Sequence, residues 1–337
     1  MMHDGYGFYE FKTCFCVFKS INDVTCLIYS KNYEILSCYD LDNKQVLSEV
    51  NKNNGRINDI RHYLDNKTKR DLILNSYVHK NEIEVTNLKN WELLLRISNV
   101  NQGGFLFSAC FYNYNNNIYI LSSNNKVTNI WRCECIKVFD MEKNKIKEIN
   151  NSNEDIYYID SYYDSKLDNN FIVTCNCGYI KFYDFNNNSL FKKYTDSEFL
   201  GKILDYVVDD RGLKKILIGS YFDSIIIWDF YSGELLKKSI SDLNRVFGLC
   251  LFDKNYLLIG TDKYGGHNEC YSDIILFDLN NQKIIKKNNS KLENTISCIK
   301  TVDTKNGKRI ISGGRWSDIV IFENKEFEFT IEHTIKN

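Results

Sequence analysis

Short apolar runs of β-branched residues recur along the chain, each closing on an aromatic residue and an acid. They read EILSCYD (34–40), CIKVFD (135–140), GYIKFYD (178–184), SIIIWD (224–229) and DIILFD (273–278), with looser copies EIEVTN (82–87) and DIVIFE (318–323). The acid, or Asn87 in its place, falls at 40, 87, 140, 184, 229, 278 and 323, in steps of 47, 53, 44, 45, 49 and 45 residues. Four strands fit in such a step. In the fifth unit they are ILDYVV (203–208), KKILIGS (214–220), SIIIWD and ELLKKS (234–239). The sixth repeats the order with VFGLCLF, YLLIGT, DIILFD and KIIKK, and the seventh with TISCIKT, RIISGG, DIVIF and EFEFTIE. Hairpin turns such as NNN, YSG, NNQ and ENK join third to fourth strands.

Seven repeats of about 45 residues imply an all-β fold, a seven-bladed β-propeller of four-stranded antiparallel blades. The expected blades cover approximately 11–50, 51–98, 99–150, 151–195, 196–240, 241–289 and 290–333, within one domain spanning 1–337. Second and third strands are continuous apolar runs, as burial on both faces requires. Outer strands carry Lys192-Lys193, Lys237-Lys238 and Lys286-Lys287, which discourage edge-to-edge pairing. Pro is absent, so Asn, Asp and Gly are expected to make the turns. The first blade begins with its own inner strand, KTCFCVF (12–18), and the last with contiguous C-terminal sequence, residues 6–10 at most adding to its edge.

Ile227-Trp228-Asp229, preceded by the small-residue end IGS of a second strand, resembles the WD-repeat family. The likeness runs from about residue 11 to 333, in repeat length and strand order more than in signature residues. Only one unit has a Trp-Asp pair, and the Gly-His dipeptide ahead of the inner strand is missing, so the family's His-centred network is not expected. The resemblance implies a non-catalytic scaffold or adaptor that binds a protein or peptide.

Lys+Arg at 43 against Asp+Glu at 44 leaves a net charge of −1, which argues against nucleic acid as a partner. No apolar stretch has the length of a membrane span and no secretory pattern opens the chain, so a cytoplasmic protein, nuclear location remaining open, with reduced thiols is expected. The 12 Cys include the pairs Cys14/Cys16, Cys133/Cys135 and Cys175/Cys177, besides His267-x-x-Cys270. None has the tight spacing of a structural zinc site, so neither metal nor cofactor is expected. No nucleophile elbow or phosphate loop is present, so no enzyme is expected.

Loops therefore carry the functional reading. Two second-to-third-strand loops are enlarged, SSNNKVTNIWRCE (122–134) and DKYGGHNECYS (262–272). Trp131, Arg132, Tyr221, Phe222, Tyr264, His267, Arg315 and Trp316 fall in loops of this type, with Tyr77 and His79 in blade two. Large side chains with a polar handle are the usual anchors of interfaces, so these eight form the expected docking patch of a protein that is monomeric by itself. The competing expectation is that they fold over the blade tops and seal the core. The competing function is a propeller enzyme or small-ligand binder using the central channel, which polar groups with displaced pKa values around the channel would favour.

Overall fold

A computed structural model describes residues 15–32, 34–52, 57–77, 80–98, 100, 104–106, 108–127, 132–141, 145–151, 156, 158–176, 178–195, 205–209, 216–221, 224–238, 245–262, 272–290, 296–314, 318–325 and 327–336. Blade one contains β1 (Phe15–Lys19), β2 (Thr25–Lys31), β3 (Ile35–Asp40) and β4 (Gln45–Asn51). Blade two contains β5 (Ile57–Asp65), β6 (Arg70–Tyr77), β7 (Glu82–Asn87) and β8 (Glu92–Ile97). Blade three adds a short β9 (Gly104–Phe105), paired to β11, to β10 (Ala109–Tyr114), β11 (Asn117–Val127), β12 (Arg132–Asp140) and β13 (Lys145–Asn151). Blade four is β14 (Tyr158–Asp164), β15 (Asn169–Cys175), β16 (Tyr179–Asp184) and β17 (Ser189–Thr195). Blade five is β18 (Tyr206–Asp209), β19 (Ile216–Tyr221), β20 (Ser224–Asp229) and β21 (Leu235–Lys238). Blade six is β22 (Arg245–Leu251), β23 (Tyr256–Asp262), β24 (Asp273–Asp278) and β25 (Lys283–Asn289). Blade seven is β26 (Ile296–Thr304), β27 (Gly307–Gly314), β28 (Ile319–Lys325) and β29 (Glu328–Ile335). Every pairing is antiparallel, and the seven sheets form a ring: the protein is a seven-bladed β-propeller.

The recurring acid has a mechanical role. Asp40 Oδ1 accepts the backbone N–H of Asp42 (2.8 Å) and Asn43 (3.0 Å), and Asp278 Oδ1 those of Asn280 (2.8 Å) and Asn281 (2.9 Å). Asp184 and Asp229 do the same, and Asn87 accepts from Lys89. Four residues after each marker the backbone turns left-handed, at Lys44, Trp91, Asn188, Gly233, Gln282 and Phe327. The matching position in blade three, Asn144, lies outside the described residues. Lys, Trp, Gln and Phe thus share a task expected of Asn, Asp and Gly alone, because the turn dictates the backbone whatever side chain it receives. A register shift between third and fourth strands precedes the turn in all seven sheets.

Alternation along the strands then builds seven cores, one at each blade–blade junction. Cys26 and Ile28 pack toward blade two with Ile60 and Ile73, while their neighbours Leu27 and Tyr29 pack toward blade seven with Ile311 and Ile321. Close approach needs small residues at the ends of second strands. A Cβ on Gly260 would lie 2.6 Å from Ile296 Cγ2 and 3.2 Å from the Ile296 carbonyl oxygen, and one on Gly219 3.1 Å from the Trp228 ring.

Lysines of the outer region span to the next blade. Lys192 donates to the Tyr231 carbonyl and Lys147 to that of Phe185, while Lys286 pairs with Glu328. Two of the three expected edge pairs, 192–193 and 286–287, therefore supply clasps between blades as well as charge on an edge. Among the described residues blade seven is built from its own contiguous strands. Its junction with blade one is held by the packing of Phe15 and Leu27 against Ile319 and Ile335, by Lys44 on Glu332 (2.8 Å), and by the Lys305 N–H on Asp42 (2.7 Å).

Candidate functional site

Register through two strand pairings aligns the inner strands. Two residues before each marker stands Cys38, Val85, Val138, Phe182, Ile227, Leu276 or Ile321. Crossing the second strand from each reaches Cys16, Arg61, Cys110, Asp160, Val207, Cys250 and Lys300. These seven residues share one level of the central channel, one from each blade. All but Cys110 are half-buried, unlike the sealed second and third strands.

Arg61 organises one side of that level. Its Nε lies 3.1 Å from Asp59 Oδ1, its Nη2 donates to Asp59 Oδ2 (3.2 Å), and its Nη1 donates to the Tyr158 hydroxyl (3.1 Å). Tyr158 donates onward to Asp160 Oδ2 (2.9 Å), which is also 3.8 Å from Arg61 Nη1. Asp59 takes a further hydrogen bond from Ser108 (2.8 Å), and the guanidinium carbon lies 4.8 Å from the Tyr158 ring centre. Burial works against the guanidinium charge, but Asp59, Tyr158 and Asp160 outweigh it and hold Arg61 above its ordinary pKa.

The other side is looser. Lys300 makes no hydrogen bond or ion pair among the described residues. Burial opposes its charge, yet Cys298 and Asp205 act more strongly together and keep the ammonium above the usual lysine range. Asp205 is fixed by the backbone N–H groups of Tyr206 (3.0 Å) and Leu249 (3.1 Å). Burial pushes the thiols of Cys16 and Cys110 and the phenols of Tyr158 and Tyr206 upward. His62, one residue beyond Arg61, directs Nε2 at Asp71 Oδ1 (2.8 Å) and stacks on Phe18 with centroids 3.6 Å apart. Among the described residues a His–Asp pair thus does occur, in blade two, although the sequence lacks the family's Gly-His. Burial lowers the His62 pKa against the pull of Asp71. Between the two sides lies a cavity of about 230 Å³, bounded by β1, β5 and β26 with Tyr158 and Asp205.

Most of the expected docking patch lies outside the described residues. Arg132 opens β12 opposite Val127, and Tyr221 closes β19 opposite Ser224, with neither side chain described. Trp131, Phe222, Tyr264, His267, Arg315 and Trp316 are outside the described residues, as are His79, Cys14, Cys177 and Cys270. Residues 122–127 and 132–134, expected as loop, are strand: β11 and β12 continue pairing to Val127 and Arg132. Tyr77 is fully buried with its hydroxyl on Glu84 (2.9 Å), so it belongs to the core rather than to a docking face. Among the described residues no cluster of three His, Cys, Asp or Glu could hold a metal ion.

No protein-family model matches the chain, and no curated protein matches it. The channel level was missed from sequence because its seven residues, three Cys with Arg, Asp, Val and Lys, follow no one side-chain type. Counting two back from each marker and pairing inward is the signal that finds it.

Proposed function

We propose that this propeller is a divergent WD-repeat protein acting as a non-catalytic interaction scaffold. On this reading it docks a protein or peptide partner on the face bearing the second-to-third-strand loops. The observation that carries the reading is the position of Arg132 and Tyr221 at the second-to-third-strand ends of their sheets. Polar groups with displaced pKa values around the channel favour the competing channel reading, but as a small-ligand site rather than an enzyme, because of the direction of the shifts. A thiol nucleophile must reach the thiolate and a lysine nucleophile the free amine. Cys16 and Cys110 are pushed away from the thiolate, and Lys300 is held as ammonium. His62 is kept neutral but is committed to Asp71. Such a wall presents fixed charge and hydrogen bonds, which serves binding better than chemistry.

The WD-repeat assignment is supported by Trp228-Asp229 and by the acid-locked turn repeated around the ring. The docking face is supported by where Arg132 and Tyr221 fall, at the second-to-third-strand ends of their sheets. The near-neutral charge fits a monomeric cytoplasmic adaptor without nucleic acid or membrane as partner.

Affinity purification from the native cell identifies the partner, and the Arg315→Ala/Trp316→Ala double variant tests the face. Loss of that partner with an unchanged melting temperature is expected. Unchanged affinity in the double variant overturns the proposal.

A further inference from the structure

A second surface lies away from the loop face, on the outer edges of three adjacent blades. The outer strands of blades four, five and six read SLFKKYT, LLKK and KIIKKNN. Each sets two apolar residues ahead of two lysines. Together these strands hold seven lysines and no acid, in a chain whose net charge is −1. Positive charge is therefore concentrated on this side of the ring. The apolar members face solvent as well, Leu190 being 49% exposed, Phe191 40% and Leu235 39%.

Three blades share the pattern, but β17 is the one left open. β21 is only four residues long, and on β25 Lys286 is already neutralised by Glu328. On β17 Lys192 donates to the Tyr231 carbonyl, which leaves its charge uncancelled. Lys193 stands 4.0 Å from the Tyr179 ring centre, and Lys181, opposite it in register, 4.6 Å from the same ring. Like charges directly opposite one another on a sheet repel. Among the described residues no carboxylate lies within ion-pair distance of Lys192 or Lys193. β17 also pairs only with β16 among the described strands, so one edge of its backbone has no strand beside it. Lysine on such an edge repels a second basic strand and attracts an acidic one.

We infer that the free edge of β17 is a docking site for an acidic, extended segment of a partner protein. The segment adds a fifth strand to blade four, antiparallel like the pairing of β17 with β16. Antiparallel pairing beside Leu190-Phe191-Lys192-Lys193 calls for two acids followed by two apolar residues. The acids meet the lysines, and the apolar pair covers Leu190 and Phe191. The docking residues of the loop face take no part.

Calorimetric titration of the full chain tests this with a capped seven-residue peptide built around Glu-Glu-Val-Leu, beside the same peptide built around Lys-Lys-Val-Leu. The acidic peptide is expected to bind at sub-millimolar concentration. The basic one should bind at least about tenfold more weakly, as reversal of two exposed charge pairs implies. Amide exchange in Ser189–Thr195 should slow when the acidic peptide is bound, because a fifth strand covers those groups. Lys193→Glu should weaken the acidic peptide and strengthen the basic one, each by roughly fivefold. Equal binding of the two peptides, no binding of the acidic one, or binding without slower exchange in β17 overturns the inference. So does binding to phosphatidylserine vesicles in place of the peptide, which would mark the edge as lipid-facing. If Lys193→Glu fails to fold, the two peptides decide the question on the unaltered protein. Both probes are synthetic, so failure here leaves the loop-face reading standing.

Discussion

The guanidinium of Arg61 on β5 donates to the Tyr158 hydroxyl on β14, 3.1 Å away and two blades further round the ring. This bond passes the inner strand of blade three, so it ties blades that share no packing core. Arg61→Met would leave Asp59 and Asp160 facing one another across the channel without a counter-charge. A loss of about 3 kcal/mol is expected, the low end for stranding a buried charge, because water in the channel relieves part of it. Tyr158→Phe should cost about 2 kcal/mol, because it removes both the bond accepted from Arg61 and the bond donated to Asp160. Urea denaturation of both single variants and the double variant measures them, and a coupling above experimental error is expected.

The left-handed turn position offers a stabilising change. Lys69 holds φ 55° on an exposed hairpin, where a residue with a Cβ is strained. Lys69→Gly removes a left-handed cost of about 1–2 kcal/mol and adds up to about 1 kcal/mol of unfolded-state entropy. A net gain of roughly 0.5 kcal/mol is expected. Gly233→Ala, at φ 77°, should lose about 1 kcal/mol, and thermal melts of the two variants should move in opposite directions.

Acid should weaken the ring in two windows. Burial depresses the His62 pKa in the folded state, so its contribution is present above the unfolded value near 6.5 and falls as pH drops below it. Glu332 is opposed by burial, but Arg309 (2.5 Å) and Lys44 (2.8 Å) hold its pKa below 4.5. The Glu332 contribution is complete above that pH and is lost as acid protonates the folded carboxyl. Glu332→Gln should therefore be less stable than the parent at neutral pH, and the two melting curves should converge below pH 4.5.

Gly260→Ala should disrupt the junction of blades six and seven. The added methyl meets Ile296 Cγ2 and the Ile296 carbonyl, and overpacking of this kind costs about 1–3 kcal/mol. Serine or threonine there should cost as much or more, by the same melting assay.

Turn chemistry explains why the fold was legible. Asp40, Asp184, Asp229 and Asp278 must each accept the backbone N–H groups two and three residues on, so the acid recurs and can be counted. Channel residues answer to no such shared demand. Arg61, Asp160 and Lys300 occupy one level, yet each meets a different neighbour, and only strand register reveals the level. The outer lysines show the same limit. Lys192 reads as edge protection until the Tyr231 carbonyl is seen beside it.

The proposed function requires a channel wall that carries fixed charge for binding rather than groups poised for chemistry. Carbon-13 NMR titration of lysine side chains, with Lys300→Arg to assign the resonance, tests this most directly. Lys300 is expected to stay protonated through and above the ordinary lysine value of about 10.4. A Lys300 midpoint near pH 7–8, the range of about 7–8 to which catalytic lysines are tuned, would contradict it.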